Sequence, residues 1–296
     1  MTTQFQAISK IGDRLKSYRL GAGLTPDDIA RATGISRAAI YRYESGQPIR
    51  VDVLGKIADL LNVSLSSLFG VGSENISSAV TFFERLRQIE AVADQITVLF
   101  GPVSYLMTTD TYDTMLERAL LESVPKDAAN REGLESELSK LMEILLARKK
   151  AFRARKPSIV SLISASEIEL FLDYGFVGNV ISPPTDLAER KMAAIVEVQN
   201  IIDLIKEQPI GVQIGIVVDS MPGTSFQILR SGMDAQVAVS PFRLGFSPNV
   251  RIGVATITSA QESVDLHQNV AENLWKHSLK SNDAASFLET LLAKTK

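Results

Sequence analysis

Near the amino terminus the apolar side chains fall three and four positions apart: Ile11, Leu15, Ile29, Ile35, Ile40, Val53, Leu54, Ile57 and Leu61. That spacing lines one face of successive short helices and supplies enough apolar surface for a small bundle core. The pattern predicts helices over Ile8–Leu20, Pro26–Ala32, Ser36–Glu44, Val51–Leu61 and Ser64–Phe69, with glycines at 21, 23, 34 and 46 marking turns. Thr25 suits the cap of the second helix with Pro26 at its first position, and Ser36 suits the cap of the third. Between them, Thr33-Gly34-Ile35 is the kind of short, glycine-containing turn that lets two helices cross steeply.

The small and polar stretch "GVGSENISSA" then reads as a linker, placed at 71–79. A long helix is predicted from Ile76 to Phe100, with Val80, Phe83, Leu86, Ile89, Ala93 and Ile96 on one stripe that serves as core or as a dimer seam. Further helices are expected over Thr111–Glu122 and Arg131–Ala151, so that residues 80–156 read as a helical dimerisation and connecting region. The last of these runs into "RKKAFRARK", whose cations suit a helix carboxyl end better than a second nucleic-acid surface. From Pro157 the period changes to two. "SIVSLIS", "IGVQIGIVV", "SFQILR", "AQVAVS" and "RIGVATIT" read as strands, with helices over Leu187–Glu207, Gln261–Leu279 and Asp283–Ala293. Strands joined by Pro/Gly turns favour a mainly antiparallel sheet with helices, an α+β domain over 157–296.

Composition narrows the function classes. The 296 residues are 45% apolar and contain no cysteine and two histidines, which leaves no disulfide or thiolate site and little for zinc. Neither a signal peptide nor an apolar run of membrane-spanning length is evident, so a soluble cytoplasmic protein without membrane association is expected. The net charge of −3 hides an asymmetry. Residues 1–70 hold nine Lys/Arg against six Asp/Glu, whereas 71–296 hold 22 against 28. Only the first segment has the sign expected of a surface that meets phosphates.

That segment, Ile11 to Gly70, resembles the Cro/CI-type (Xre) helix-turn-helix family. The resemblance lies in "GLT" before the second helix, the "GIS" turn, the Ile-Tyr-Arg-Tyr-Glu-x-Gly ending of the third, and the closing "NVSLSSLF". It implies an all-α, five-helix, lambda-repressor-like DNA-binding domain over 1–70, whose third helix enters the major groove. By the same resemblance Arg37, Ala38, Tyr41 and Arg42 stand where bases are read, while Thr25, Ser36, Ser45 and Arg50 belong to the DNA-contacting set that fixes register on the backbone. Many members carry a glutamine that bonds a phosphate at the start of the second helix; here Pro26 stands there. Arg19 and Glu44 match a pair that is salt-bridged in some members, and a structural role is expected of them.

The distal part carries weaker signals. Asp219-Ser220-Met221 resembles the nucleophile segment of repressors that cut themselves, but those need a lysine of depressed pKa downstream of the serine. The chain has no lysine between Glu207 and Trp275. No phosphate loop, zincin motif or phospholipase D pattern is present, so no catalytic residue, metal site or cofactor is expected and the chain is not read as an enzyme. The order of elements is similar to that of sensor domains attached to other Xre regulators. Arg230, Arg243 and Arg251 near strand ends, with Ser220 and Ser240 and the apolar Phe226, Phe242 and Phe246, are candidates for one rim that holds an acidic metabolite. The resulting expectation is a dimeric transcriptional regulator of double-stranded operator DNA, modulated by a small molecule or partner at its distal domain. Alternatives are an immunity repressor of phage or antitoxin type that answers to a protein, and a DNA-tethered enzyme or self-cleaving peptidase.

Overall fold

The structure, a computed structural model, describes residues 2–70, 72–99, 101–178 and 186–295. Five helices open the chain: α1 (Thr2–Gly21), α2 (Pro26–Thr33), α3 (Arg37–Glu44), α4 (Val51–Leu61) and α5 (Leu65–Phe69). Their ends follow from local chemistry. Thr25 and Asp28 form a capping box at the start of α2 with Pro26 in the first turn, and Gly34 ends the helix in the left-handed conformation at φ 73°. Ser36 and Ser64 cap α3 and α5 by accepting from the amides of Ala39 and Ser67. Leu15, Ile29, Ile40, Leu54, Ile57 and Leu68 are buried together as the centre of this head. Helix α1 passes so close to the end of α3 that a Cβ on Gly12 would run into the carbonyl oxygen of Tyr43.

The remainder is an α+β body. Its elements are β1 (Ser73–Ile76), α6 (Ala79–Glu90), β2 (Gln95–Leu99), α7 (Asp110–Glu122), α8 (Arg131–Arg155), β3 (Ser158–Ser164), α9 (Ala165–Tyr174), α10 (Leu187–Glu207), β4 (Val212–Val217), β5 (Ser225–Ser231), β6 (Asp234–Ser240), β7 (Ala255–Thr258), α11 (Gln261–His277) and α12 (Ser281–Thr295). The seven strands form one sheet in the order β1-β7-β6-β5-β2-β3-β4. β2, β3 and β4 run parallel to one another and the other pairings are antiparallel. Alternation along the strands supplies two faces. Ile96, Val98, Ile159, Ile163, Ile216 and Leu229 join the larger core with α6, α8, α10 and α12, while Leu99, Leu162, Phe226, Ile228 and Val237 form a smaller one beneath Val264 and Ala271 of α11.

Three expectations fail here. The stretch read as a linker over 71–79 contains β1, paired with β7 from Ser73↔Thr258 to Ile76↔Ala255. The long helix read from Ile76 stops at Glu90 and is replaced by β2, a central strand; its expected end, Phe100, lies outside the described residues. All six stripe residues are buried within the one chain, so the stripe is core and not a seam between chains. Residues 80–156 are therefore part of the body and not a separate helical region. α9, unread in the sequence, follows β3 directly, capped by Ser164.

The head is docked on the body through α1 and α6. A Cβ on Gly21 would collide with the Thr81 hydroxyl, so the end of α1 packs directly on the first turn of α6. Beside this contact Glu74 of β1 accepts from Arg14 Nε at 2.7 Å and from Arg85 Nε and Nη2 at 2.9 Å, with all three side chains buried. Burial alone would raise the Glu74 carboxyl, but Arg85 and Arg14 together hold it below the usual carboxylate range. Gln88 of α6 donates to the Asp13 carbonyl at 3.0 Å and extends the junction.

Candidate nucleic-acid interface

One face of α3 is buried and the other is open. Ala39 and Ile40 point into the head, whereas Arg37, Ala38, Tyr41 and Arg42 are exposed side by side. The sequence-predicted reading residues are thus brought together on one surface. Ser36 and Ser45 flank them at the two ends of the helix and Arg50 precedes α4, all exposed.

Two of the three arginines on this face are already paired. Arg37 lies 3.3 Å from Asp27 of α2, donates to the Tyr41 hydroxyl at 3.3 Å and sits 5.5 Å from the centre of that ring. Arg50 is bonded in two-pronged fashion to Asp52 at 3.0 Å. At the start of α2 the Thr25 hydroxyl accepts from the Asp28 amide while Asp28 accepts from the Thr25 amide and hydroxyl; these bonds hold the Asp28 carboxyl below its ordinary range. Asp27 and Asp28 suit the positive end of the helix dipole but would repel a phosphate there, and Pro26 in the first turn offers no amide N–H. Of the two arginines expected to read bases, Arg42 has no acid partner among the described residues. The expected structural pair is present: Arg19 reaches both oxygens of Glu44 at 2.5 and 2.9 Å and also donates to the Leu24 carbonyl, which ties α1 to the end of α3.

The candidates for an effector rim do not converge. In the β5–β6 hairpin Ser225 faces Ser240 at one end and Arg230 faces Ala235 at the other. At about 3.4 Å per residue that is roughly 17 Å of strand. Arg230 bonds Gln268 of α11, Arg243 is exposed and reaches the Gly223 carbonyl at 3.4 Å, and Arg251 faces a separate cavity beside Gly21, Val80 and Leu138. Ser240 is buried, its hydroxyl accepting from the Phe242 amide, and Ser220 sits in the exposed β4–β5 loop. Phe226 and Phe242 belong to the two opposite cores. The single rim is not formed. His267 and His277 each bond a carbonyl one turn back on α11, and among the described residues no three His, Cys, Asp or Glu are grouped to hold a metal. No helix of the described residues is long and apolar enough to cross a membrane.

The cation run of α8 has a second use beside the one expected. Arg148 is paired with Glu90 at 2.7 Å, Lys149 with Asp113 at 2.7 Å and Arg153 with Asp110 at 2.8 Å, the first two buried. Arg155 donates to the Glu90 carbonyl. Arg153 and Arg155 stand exposed in the last turn of α8, as expected of cations at a helix carboxyl end, while the buried Arg148 and Lys149 bind α8 to α6 and α7.

Comparison with known proteins agrees with the head. Residues 15–68 match the family model described as helix-turn-helix. No curated protein matches the chain. Among solved structures, TrmBL2, an archaeal chromatin protein with a novel mode of DNA binding, aligns over 89% of this chain and 91% of its own at 12% identity, with a TM-score of 0.32, too low for the likeness to bear on fold or function.

Proposed function

We propose that the chain is a sequence-specific regulator of transcription that binds double-stranded DNA through α3. The observation that carries this reading is the open face of Arg37, Ala38, Tyr41 and Arg42 within a segment that matches the helix-turn-helix model. Arginine at such a position pairs with the O6 and N7 of guanine, and a small methyl such as that of Ala38 accepts the thymine methyl. One short helix reads few bases, so specificity calls for two copies on a two-fold operator, and a homodimer is part of the proposal. The body is its regulatory part, in which a small molecule changes operator affinity by favouring one arrangement of the heads. A protein that meets the genome in this way works in the cytoplasm, and no catalytic step is assigned to it.

Selection of binders from a randomised duplex library tests the reading. The expected product is a palindromic consensus whose footprint is protected symmetrically. Recovery of unrelated sequences, with affinity set by salt alone, would sink it.

A further inference from the structure

A groove of about 580 Å³ runs between α7 and α8 on the side of the helical layer turned away from the sheet. The two helices are antiparallel neighbours, since Asp110 meets Arg153 at 2.8 Å and Asp113 meets Lys149 at 2.7 Å. Tyr112, Leu116, Leu141 and Leu145 hold them to the core from below. The α7 wall presents Asp110, Asp113, Thr114 and Glu117; the α8 wall presents Lys149, Lys150 and Arg153, with Met142 and Leu146 as its apolar part. All three acids of the groove thus stand on one helix and all three bases on the other.

Asp113 and Lys149 are buried and engaged with each other. The outer charges are open to solvent. Asp110 and Arg153 pair with their side chains 81% and 50% exposed, and Glu117 and Lys150 are exposed without an ion pair among the described residues. Leu146 on the α8 wall is 47% exposed. On the other side of α7 lies α10, bonded through Glu197 to Thr109 and through Arg190 to Glu122, and it leaves Met192 and Val196 exposed one turn apart. The face therefore combines apolar surface with two walls of opposite sign.

A two-fold axis along this groove lays α7 of each copy over α8 of the other, so that an acidic wall meets a basic wall twice and the two Leu146 side chains approach across the axis. A foreign surface of either sign would meet one favourable wall and one unfavourable wall. We infer that this face is where two copies of the chain associate, as a four-helix contact of α7 and α8 with their counterparts. The inference rests on the dimeric reading of the regulator and gives that dimer its surface. Leu146, Met192 and Val196 supply the apolar burial, and the charged walls select the partner and its register.

The chain has no cysteine, so single introduced cysteines report proximity directly. With the full chain bound to its selected operator, Leu146→Cys is expected to give a disulfide-linked dimer on mild oxidation. Leu266→Cys, 59% exposed on α11 at the other face of the sheet, is expected to stay unlinked. Sedimentation equilibrium of the full chain is expected to show a dimer that Leu146→Glu weakens at least about tenfold while the far-UV spectrum is unchanged. Lys150→Glu, which sets an acid against the acidic wall, weakens association too, and the double variant Lys150→Glu with Glu117→Lys recovers most of it. A dimer that Leu146→Glu leaves intact, a Leu146→Cys chain that does not cross-link, or a double variant without recovery overturns this surface and leaves the dimeric reading standing. A wild-type chain that is monomeric both free and on its operator sinks the dimeric reading itself.

Discussion

Arg37 and Arg42 share a face but begin from different states, because Arg37 is already held by Asp27 and Tyr41. Reading a base with Arg37 means breaking the contact to Asp27, and the released carboxylate then faces DNA. Asp27→Asn is therefore expected to raise operator affinity severalfold, by removing both the competitor and a like charge near phosphate. Filter-binding titrations at two salt concentrations measure this; a loss of affinity would contradict it. Arg42→Ala, with no such competitor, is expected to cost ~1–3 kcal/mol on the consensus and to relax preference at one base pair of each half-site. Arg50→Ala should weaken all sequences alike and lower the salt slope by less than ~1, since Asp52 already neutralises part of its charge. Selection repeated with each variant separates the two patterns. The exposed face of α3 was legible in the sequence because exposure on a helix of known phase follows from Ala39 and Ile40 being apolar and inward. The pairing with Asp27 was not, since it depends on how α2 crosses α3.

At the scale of elements, legibility followed local signals. The caps at Thr25 and Ser36 and the turn at Gly34 announce the head helices from a few neighbouring residues. The boundary between α6 and β2 was hidden because Ala93 and Ile96 continue the helical spacing of Val80, Phe83, Leu86 and Ile89 by coincidence of register. What separates them is tertiary: β2 gains partners on both sides, β3 and β5, which only the assembled sheet supplies. The buried pairs of Arg148 and Lys149 in α8 were missed for the same reason. Their acids lie 58 and 36 residues away in Glu90 and Asp113, so the sequence shows a charged run where the fold makes buried pairs. Arg148→Met is expected to destabilise by about 3–5 kcal/mol because Glu90 is left unpaired, while Lys150→Ala, on the exposed side of the same run, stays within about 0.5 kcal/mol. Urea unfolding of the two variants checks this, and equal midpoints would refute the assignment. Thr25→Ala should cost ~1 kcal/mol through the lost cap, visible in Tm without DNA present.

For the whole molecule, the junction of head and body is the part that composition and periodicity least foretold: Glu74 lies in a stretch read as linker. Its carboxyl is held below the ordinary range, so its contribution to docking is complete above the unfolded value near ~4.3 and is lost as pH falls through the lower folded value. Acidification is thus expected to release α1 from α6, seen as faster hydrogen exchange in both helices. In Glu74→Gln that acid dependence should be absent, with the helices already less protected at neutral pH. An identical pH profile in wild type and variant would show that the clamp does not govern docking.

The pairing of β1 with β7 places a further condition on any such movement. Along β1 the side chains alternate, with Glu74 and Ile76 inward and Ser73 and Asn75 outward. A slip of one residue would turn Glu74 to solvent and bring Asn75 against Arg14 and Arg85, which strands both cations; a slip of two would restore the facing but strip one end of a ladder of four residues. Intermediate positions are therefore penalised, and β1, which carries the carboxylate that both guanidinium groups share, has a stepwise set of placements: seated in one register or detached from the sheet edge.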